Sequence, residues 1–240
     1  MAELGAVIDA AILAGGLGTR LRQTVSDRPK ALAPVAGRPF LSHLLDQIAA
    51  AGLQRVVLCT GYLGDQVQEA FGDRYGGLAL SYSHESSPRG TAGALRLALP
   101  LLRSDPVLVL NGDSYCDVAL PNLVAWHEEH RTTSAGSLLV TWVDDTARYG
   151  TVDLDDAGAV IAFREKSGQA IPGWINAGVY LLSRRLLMSI PAGIASLERD
   201  VLPSWVGRGL DGYRMKLPFV DIGTPESYAR AEALLAQRHR

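Results

Sequence analysis

The sequence predicts an α/β fold built on a doubly wound, mostly parallel sheet. Apolar, β-branched runs recur along the chain, and segments with helical periodicity lie between several of them. Strands that alternate with helices form a mostly parallel sheet, and near-continuous apolar strands fit burial on both faces. The predicted strands are Val7–Leu13, Arg55–Thr60, Val107–Leu110, Ser137–Val143 and Trp174–Leu182.

Three segments carry the helical signal. Two have apolar residues on one helical face: Phe40, Leu41, Leu44, Leu45 and Ile48 in the first, and Leu95, Ala98, Leu99 and Leu102 in the second. Near the end, Thr224 provides an N-cap and Pro225 the first helical position, which predicts a helix to about Gln237. Helices between buried strands make the predicted sheet Rossmann-like.

The alternation of apolar strands with helices becomes less regular after Val140. Short extended segments at Thr151–Leu154 and Val160–Glu165 predict a small antiparallel extension that covers one end of the sheet. No internal repeat or low-complexity linker interrupts the 240 residues. We therefore expect one domain over residues 1–240 with a lobe-like second half.

Composition excludes several classes of protein. Hydrophobic residues make up 48% and charged residues 20%, which is typical of a folded globular protein. The formal net charge of −2 and the lack of a basic run argue against a nucleic-acid partner. Cys59 and Cys116 belong to no Cys-x-x-Cys pair, so we expect buried free thiols. Without a signal peptide or a membrane-length apolar run, we expect no membrane association and a cytoplasmic location.

A glycine-rich loop follows the first predicted strand. Residues 14–21 read Ala-Gly-Gly-Leu-Gly-Thr-Arg-Leu, in which glycines let backbone N–H groups approach an anion. Arg20 and Lys30 add cations, an arrangement that a triphosphate needs. The loop is neither the Gly-x-Gly-x-x-Gly fingerprint nor a Walker loop, and a plain glycine turn with a solvated Arg20 remains the alternative.

Two aspartates stand at predicted strand ends. Asp113 follows Val107–Leu110 through Asn-Gly, and Asp221 follows Phe219-Val220. Mg²⁺ prefers oxygen ligands and takes one or two carboxylates, so the pair is a candidate magnesium site. A turn residue and a helix-capping acid are the alternatives, and the residues alone do not show that the two acids converge.

Further candidates lie on loops. Gly90 and Thr91 open the helix that follows Glu85, where free N–H groups can meet a base edge or ribose, although a simple capped loop fits equally well. Lys166 can bind a phosphate and Glu165 can accept hydrogen bonds, although such a pair is usually plain surface. The segment His127–His130 lies on a polar helix face and lacks zinc spacing, which disfavours a metal site.

Together these motifs resemble the sugar nucleotidyltransferase family. The resemblance rests on residues 13–21, on Arg28-Pro29-Lys30, on residues 34–39 and on Asp221-Ile222-Gly223-Thr224-Pro225, in the family's order over nearly the whole chain. It implies a nucleotide-binding part over about residues 1–120 and a sugar-phosphate-binding part over about residues 121–240. Segments at residues 37–41, 111–115 and 176–182 look most similar to the D-glycero-D-manno-heptose 1-phosphate guanylyltransferases.

The resemblance implies a role for each candidate residue. Arg20, Lys30 and Asp113 would be catalytic, and Asp113 and Asp221 would hold Mg²⁺. The nucleotide-binding residues would be Leu13, Ala14, Gly15, Gly16, Gly18, Thr19, Arg20, Lys30, Glu85, Gly90 and Thr91. The sugar-phosphate-binding residues would be Tyr149, Gly150, Glu165, Lys166 and Asn176.

The implied reaction joins a nucleoside triphosphate, GTP in the heptose enzymes, to a sugar 1-phosphate. Its phosphate oxygen is already charged at pH 7, so attack on the α-phosphorus needs positioning and charge neutralisation rather than a dedicated base. The alternatives are a mannose-1-phosphate guanylyltransferase, a uridylyl- or thymidylyltransferase acting on glucose or an amino sugar, and a non-catalytic sugar-nucleotide-binding regulatory protein. The residues fix neither the base nor the sugar, and they leave the oligomeric state, homo-oligomer included, open.

Overall fold

The computed structural model describes residues 8–16, 18, 28–130, 134–164, 166 and 168–237. A ten-stranded mixed sheet organises the chain, and its main path runs in the order β11-β10-β12-β7-β1-β4-β6-β5. The strands on this path are β1 (Asp9–Leu13), β4 (Arg55–Thr60), β5 (Arg74–Tyr75), β6 (Leu78–His84), β7 (Val107–Asn111), β10 (Thr151–Leu154), β11 (Val160–Arg164) and β12 (Gly173–Leu182). Two further strands of the sheet lie outside this path: β9 (Gly136–Val143) pairs with β12, and β13 (Leu210–Met215) pairs with β9.

Two small ladders complete the strands. They are formed by β2 (Pro34–Val35) with β3 (Arg38–Pro39), and by β8 (Ser114–Cys116) with β14 (Phe219–Asp221). The helices are α1 (Phe40–Ala50), α2 (Gly64–Phe71), α3 (Gly90–Ala98), α4 (Leu120–His130), α5 (Arg184–Ser189) and α6 (Pro225–Gln237). No helix in the described part of the chain is both long enough and apolar enough to cross a membrane.

The nucleus of the sheet is parallel, as predicted. β1 pairs in parallel with both β4 and β7, and β4 pairs in parallel with β6. Side chains alternate between two buried clusters, so Ala10 and Ile12 point to one face of the sheet and Ala11 to the other. Helices α1, α4 and α6 cover the first face, whereas α3 and α5 cover the second.

The antiparallel extension is also confirmed. β10 pairs antiparallel with β11 and β12, and β12 pairs antiparallel with β7 and β9. The register of β12 against β9 shifts between Asn176 and Tyr180, so this strand carries a bulge where the sequence shows Asn-Ala-Gly. The extension continues the sheet beyond β7, and both halves of the chain therefore contribute strands to one sheet.

Helix α3 ends earlier than its apolar pattern suggested. It stops at Ala98, and Leu99–Leu101 form a short 3-10 turn instead. The reason is Pro100, which lacks an N–H and clashes with the preceding helical turn. The C-terminal helix begins at Pro225 as predicted, and the backbone N–H of Ser227 donates to Thr224 Oγ1 at 3.3 Å.

Candidate active site

A cavity of about 560 Å³ opens beyond the carboxyl ends of β1 and β7. Ligands of open α/β sheets bind at such an edge. Ten described residues predicted to bind nucleotide or act in catalysis line it: Leu13, Ala14, Gly15, Gly16, Gly18, Lys30, Glu85, Gly90, Thr91 and Asp113. The structure thus brings these predicted residues together, whereas Thr19, Arg20 and Glu165 lie outside the described residues.

A second cavity, of about 670 Å³, lies beside α1 and is lined by residues that include His43 and Asp117. It is larger but contains none of the predicted site residues. The prediction of a nucleotide site therefore concerns the smaller cavity, which is lined by described residues of the glycine-rich loop and by Lys30.

Lys30 and Asp113 form an ion pair in the wall of the cavity. Lys30 Nζ donates to Asp113 Oδ2 at 2.6 Å, and the two side chains are 14% and 49% exposed. Lys30 opens a 3-10 turn after buried Pro29, and Asp113 lies just beyond β7. Two sequence-distant segments thereby place a cation and an exposed carboxylate at one point of the wall, which suits a metal–phosphate complex.

Glu85 supplies a second carboxylate to the cavity. It directly follows β6, and its Oε2 accepts the backbone N–H of Arg89 at 3.0 Å. Burial raises the pKa of Glu85 above its ordinary value, while the hydrogen bond from Arg89 counteracts this shift in part. The carboxylate retains acceptor capacity toward the cavity because a carboxylate offers about four lone-pair sites.

The beginning of helix α3 differs from expectation. Its N–H groups were predicted to be free for the ligand, but those of Ala92 and Gly93 donate to the carbonyl oxygen of Ala195 at 3.0 and 3.2 Å. The segment that contains Ala195 packs against the helix end and acts as its cap, because buried N–H groups need a partner. The prediction is wrong for these two groups.

Glu198 belongs to the cavity and was not predicted. It lies on a short π-helical segment, Leu197–Val201, after the α3 cap. Its Oε2 accepts the hydroxyl of Thr91 at 2.8 Å, while Thr91 Oγ1 accepts the N–H of Leu197 at 2.7 Å. The Thr91 hydroxyl therefore donates to Glu198 and accepts from the neighbouring Leu197, and both hydrogen bonds fix the position of Glu198. No local sequence motif predicts Glu198, because it reaches this cavity only through the packing of its segment on α3.

Asp221 ends β14, and four donors among the described residues hold it. Its Oδ1 accepts Arg148 Nη2 at 2.9 Å, Ser227 Oγ at 3.0 Å and the backbone N–H of Gly223 at 2.7 Å. Its Oδ2 accepts the hydroxyl of Tyr149. Burial favours the neutral acid, but the hydrogen bonds from Tyr149 and Gly223 and the charge of Arg148 outweigh it and lower the pKa of Asp221.

The two aspartates come from neighbouring strands. Asp221 pairs with Ser114 across the β8–β14 ladder, and the N–H of Ile222 donates to the carbonyl oxygen of Asp113 at 2.9 Å. Among the described residues, no group of three or more His, Cys, Asp or Glu side chains could hold a metal ion. Mg²⁺ needs only one or two carboxylates beside phosphate oxygens, so the donor chemistry of this pair fits the predicted ion. Joint binding by both carboxylates stays a prediction.

The residues predicted for the sugar phosphate are spread more widely. Tyr149 lines a separate cavity of about 380 Å³ together with Arg148 and Arg230. Asn176 donates to the hydroxyl of buried Tyr180 at 2.8 Å, and that hydroxyl donates to Glu198 at 3.4 Å. Gly150 and Lys166 are exposed and line none of these three cavities. The structure does not bring these residues together, and their sugar-phosphate role stays a prediction.

The segment His127–His130 differs from the polar surface that was expected. His127 is buried, and its Nδ1 lies 2.7 Å from Ser137 Oγ on β9. The prediction of a polar helix face is therefore wrong for His127, because α4 turns this residue onto the sheet. The prediction of buried free thiols is confirmed: burial, the largest cause, raises the pKa of Cys59 and of Cys116 to about 12.

The nucleotidyl transferase family model matches residues 9–238 of the chain. The chain belongs to this family. The family prediction made from the glycine-rich loop and the later motifs is thereby confirmed. The match covers both the cavity-lining loops and the segment around Asp221.

Named relatives agree with the family assignment. Mannose-1-phosphate guanylyltransferase of Mycobacterium tuberculosis is 37% identical over 235 residues, which cover 96% of this chain and 65% of the relative. D-glycero-alpha-D-manno-heptose 1-phosphate guanylyltransferase of Aneurinibacillus thermoaerophilus is 35% identical over 228 residues, with 94% and 97% covered. The crystal structure of HddC from Yersinia pseudotuberculosis complexed with GMP-PN is 32% identical and superposes with a TM-score of 0.83, covering 95% of this chain and 99% of that one.

Proposed function

We propose that the chain transfers a guanylyl group from GTP to D-glycero-α-D-manno-heptose 1-phosphate, giving GDP-heptose and pyrophosphate. The observation that carries the proposal is the cavity in which the glycine-rich loop, the Lys30–Asp113 pair and the Glu85 carboxylate meet. The relatives at 37% and 35% identity are both named guanylyltransferases, which supports GTP as the nucleotide. The heptose relative and the heptose-like segments support the sugar.

Glu85 gives the preference for guanine a chemical basis. The Watson–Crick edge of guanine presents two adjacent donors, N1–H and N2–H, to which one carboxylate can bind. Uracil and thymine present one N–H between two carbonyl oxygens, whose lone pairs would face the carboxylate. A site with unpaired polar groups rejects the wrong substrate strongly, so Glu85 favours GTP over UTP and dTTP.

In the proposed reaction an oxygen of the sugar 1-phosphate attacks the α-phosphorus of GTP in line. The bond between the α-phosphorus and the oxygen bridging to the β-phosphate breaks, and pyrophosphate leaves with that electron pair. Lys30 and the glycine-rich loop hold the triphosphate, and Asp113 with Asp221 would hold Mg²⁺. When bound, the ion supplies charge neutralisation at the reacting phosphates. Protein side chains therefore act by positioning and by offsetting charge.

Mannose-1-phosphate guanylyltransferase is the second candidate, because the mycobacterial relative is 37% identical. The chain spans 65% of the length of that relative and 60% of the related Drosophila proteins. Mannose 1-phosphate lacks only the terminal carbon of the heptose and its hydroxyl. A non-catalytic regulator is disfavoured, since Lys30, Asp113 and Asp221 are all present.

A substrate matrix tests the proposal. The purified protein with Mg²⁺ is incubated with GTP, UTP, dTTP or ATP against the 1-phosphates of the heptose, mannose, glucose and glucosamine, and pyrophosphate is measured. We expect the highest kcat/KM for GTP with the heptose phosphate and a lower value for GTP with mannose 1-phosphate. Asp113→Asn serves as the inactive control. Faster turnover of UTP with glucose 1-phosphate would overturn the substrate assignment, and no pyrophosphate with any pair would overturn the activity.

A further inference from the structure

The carboxylate of Asp221 already has a cation beside it. Among the four donors that the described residues supply, Tyr149, Ser227 and the Gly223 backbone are neutral, and Arg148 carries a charge. Oδ1 accepts three hydrogen bonds and Oδ2 accepts one. Oδ2 therefore accepts fewer hydrogen bonds from the described residues than Oδ1 does, and it is the oxygen at which an ion can bind.

Close backbone packing fixes this arrangement. A Cβ on Gly223 would lie 2.6 Å from Asp221 Oδ1 and 3.4 Å from Arg148 Nη2, so only glycine permits the contact at this position. Ser227 is 1% exposed, which makes the helix α6 side of the carboxylate rigid. The Arg148 side chain is 33% exposed, so it can leave the carboxylate more easily than Ser227 or Gly223 can.

Arg148 and a divalent metal cannot share Asp221 without cost. Both are positive, and two like charges within several ångströms repel strongly where burial lowers the dielectric screening. The side chain of Asp221 is only 12% exposed, so solvent screens this repulsion poorly. Binding of the ion at Oδ2 therefore weakens the Arg148–Oδ1 contact, and the contact in turn weakens binding of the ion.

We propose that Arg148 is an internal counter-cation that occupies Asp221 before the metal binds and that competes with the metal for this carboxylate. The inference rests on the metal-binding role of Asp113 and Asp221 in the proposed function. Its consequence is that the nucleotide-free protein binds divalent ions weakly. Phosphate oxygens of a bound nucleotide would supply the remaining ligands, so the protein would hold the ion more tightly with nucleotide than without it. Arg148 is thus a positioning residue that acts through Asp221.

Binding of Mn²⁺, followed by the EPR signal of the free ion, tests the proposal without any turnover. It is measured for the nucleotide-free protein and for the complex with a non-hydrolysable GTP analogue. Arg148→Met removes the charge and keeps the aliphatic stem, and we expect it to tighten Mn²⁺ binding about tenfold without nucleotide. Arg148→Gln keeps a neutral donor for Oδ1 and should shift the affinity in the same direction, which covers the case in which the methionine variant does not fold.

Two controls isolate the effect. Arg230 lines the same cavity as Arg148, but the four donors described above for Asp221 do not include it, so Arg230→Met should leave the Mn²⁺ affinity unchanged. Arg148→Lys keeps the charge and should stay close to the wild-type affinity. Equal or weaker Mn²⁺ binding by folded Arg148→Met and Arg148→Gln would overturn the role of Arg148.

The same assay separates this inference from the proposed function. If Asp113→Asn and Asp221→Asn both weaken Mn²⁺ binding while the neutral Arg148 variants do not tighten it, only the counter-cation role fails. If both aspartate variants bind Mn²⁺ as the wild type does, the metal assignment of the proposed function fails, and the role of Arg148 fails with it.

Discussion

At the scale of single residues, the proposed function assigns the preference for guanine to Glu85, which lines the cavity. Replacing it with glutamine substitutes one N–H donor for an acceptor and removes the charge. We predict that Glu85→Gln lowers kcat/KM for GTP roughly 100-fold and raises it for UTP, because the amide can pair with a uracil carbonyl. Steady-state kinetics with both nucleotides and a fixed sugar 1-phosphate measure this change. A variant that keeps the wild-type ratio of GTP to UTP would remove Glu85 from base recognition.

The raised pKa of Glu85 gives a second prediction at this scale. Since burial raises this pKa above the ordinary 4.5, Glu85 becomes protonated at a higher pH than an exposed glutamate does. A protonated carboxyl loses an acceptor for guanine, so affinity for GTP is complete at higher pH and falls as the pH drops through the raised pKa. Calorimetric titration with a GTP analogue from pH 8 to pH 5 shows this loss. The glutamine variant has no such titrating group, so its affinity should not show this fall. The ratio of wild-type to variant affinity should therefore decrease as the pH is lowered.

Thr91 and Glu198 show why part of the candidate site could not be predicted from the sequence. The glycine-rich loop, Lys30 and Asp113 could be recognised from short motifs in the sequence. The structure places them around one cavity. Thr91, predicted to bind the nucleotide, lines the cavity, and its hydroxyl binds Leu197 and Glu198 from a segment more than a hundred positions away. Such a pairing depends on how two distant segments pack, and a short motif does not encode it.

At the scale of elements, the segment that caps helix α3 sets a strict steric limit. Gly90 has φ +72°, and a Cβ there would lie 2.4 Å from the carbonyl oxygen of Ala195. We predict that Gly90→Ala destabilises the protein by about 2 kcal/mol or more, which lowers Tm by about 4–8 °C. Thermal unfolding followed by circular dichroism measures the shift.

Gly77→Ala is the matched control for that substitution. Gly77 lies in the turn before β6, and a Cβ there would meet no atom within 4 Å. We expect a change within about 0.5 kcal/mol. A Gly90→Ala variant as stable as this control would show that the cap can move away from the helix end.

Helices α1, α3 and α6 and seven strands of the main sheet followed from periodicity and burial. The strands around β1, the two short strands of the extension and helix α6 were predicted with bounds within one or two residues of those observed. Helix α2 and strand β13 were not predicted, since Gly64–Phe71 buries only Gly64 and Val67 and β13 contains Asp, Gly and Arg. The apolar pattern predicted that α3 extends to Leu102, but the helix ends before Pro100. Short elements with few buried positions give too weak a pattern to be recognised.

At the scale of the whole molecule, the sheet joins both halves of the chain. Strand β12 pairs with β7 over Val179–Leu182 and with β9 over most of its length. All four tryptophans, Trp126, Trp142, Trp174 and Trp205, lie in the second half. Their fluorescence therefore reports on that half, whereas far-ultraviolet circular dichroism reports on the whole chain.

We predict that the two signals follow one urea transition. Shared strand pairing means that neither half can lose its structure without exposing the apolar edge of the other. Coincident midpoints and slopes are the expected outcome. A fluorescence transition at lower urea, with circular dichroism retained, would show that the second half of the chain unfolds separately.

The order of strands in the sheet also has a consequence for synthesis on the ribosome. Strand β7 is made well before β12, its antiparallel neighbour on the side away from β1. Until β12 emerges, the nascent chain presents the backbone of Val107–Asn111 as an open, apolar strand edge, which is the kind of surface that pairs with other chains. Newly made protein is therefore most prone to aggregate while the ribosome is translating the segment between these two strands, and shielding of this edge matters most during that interval.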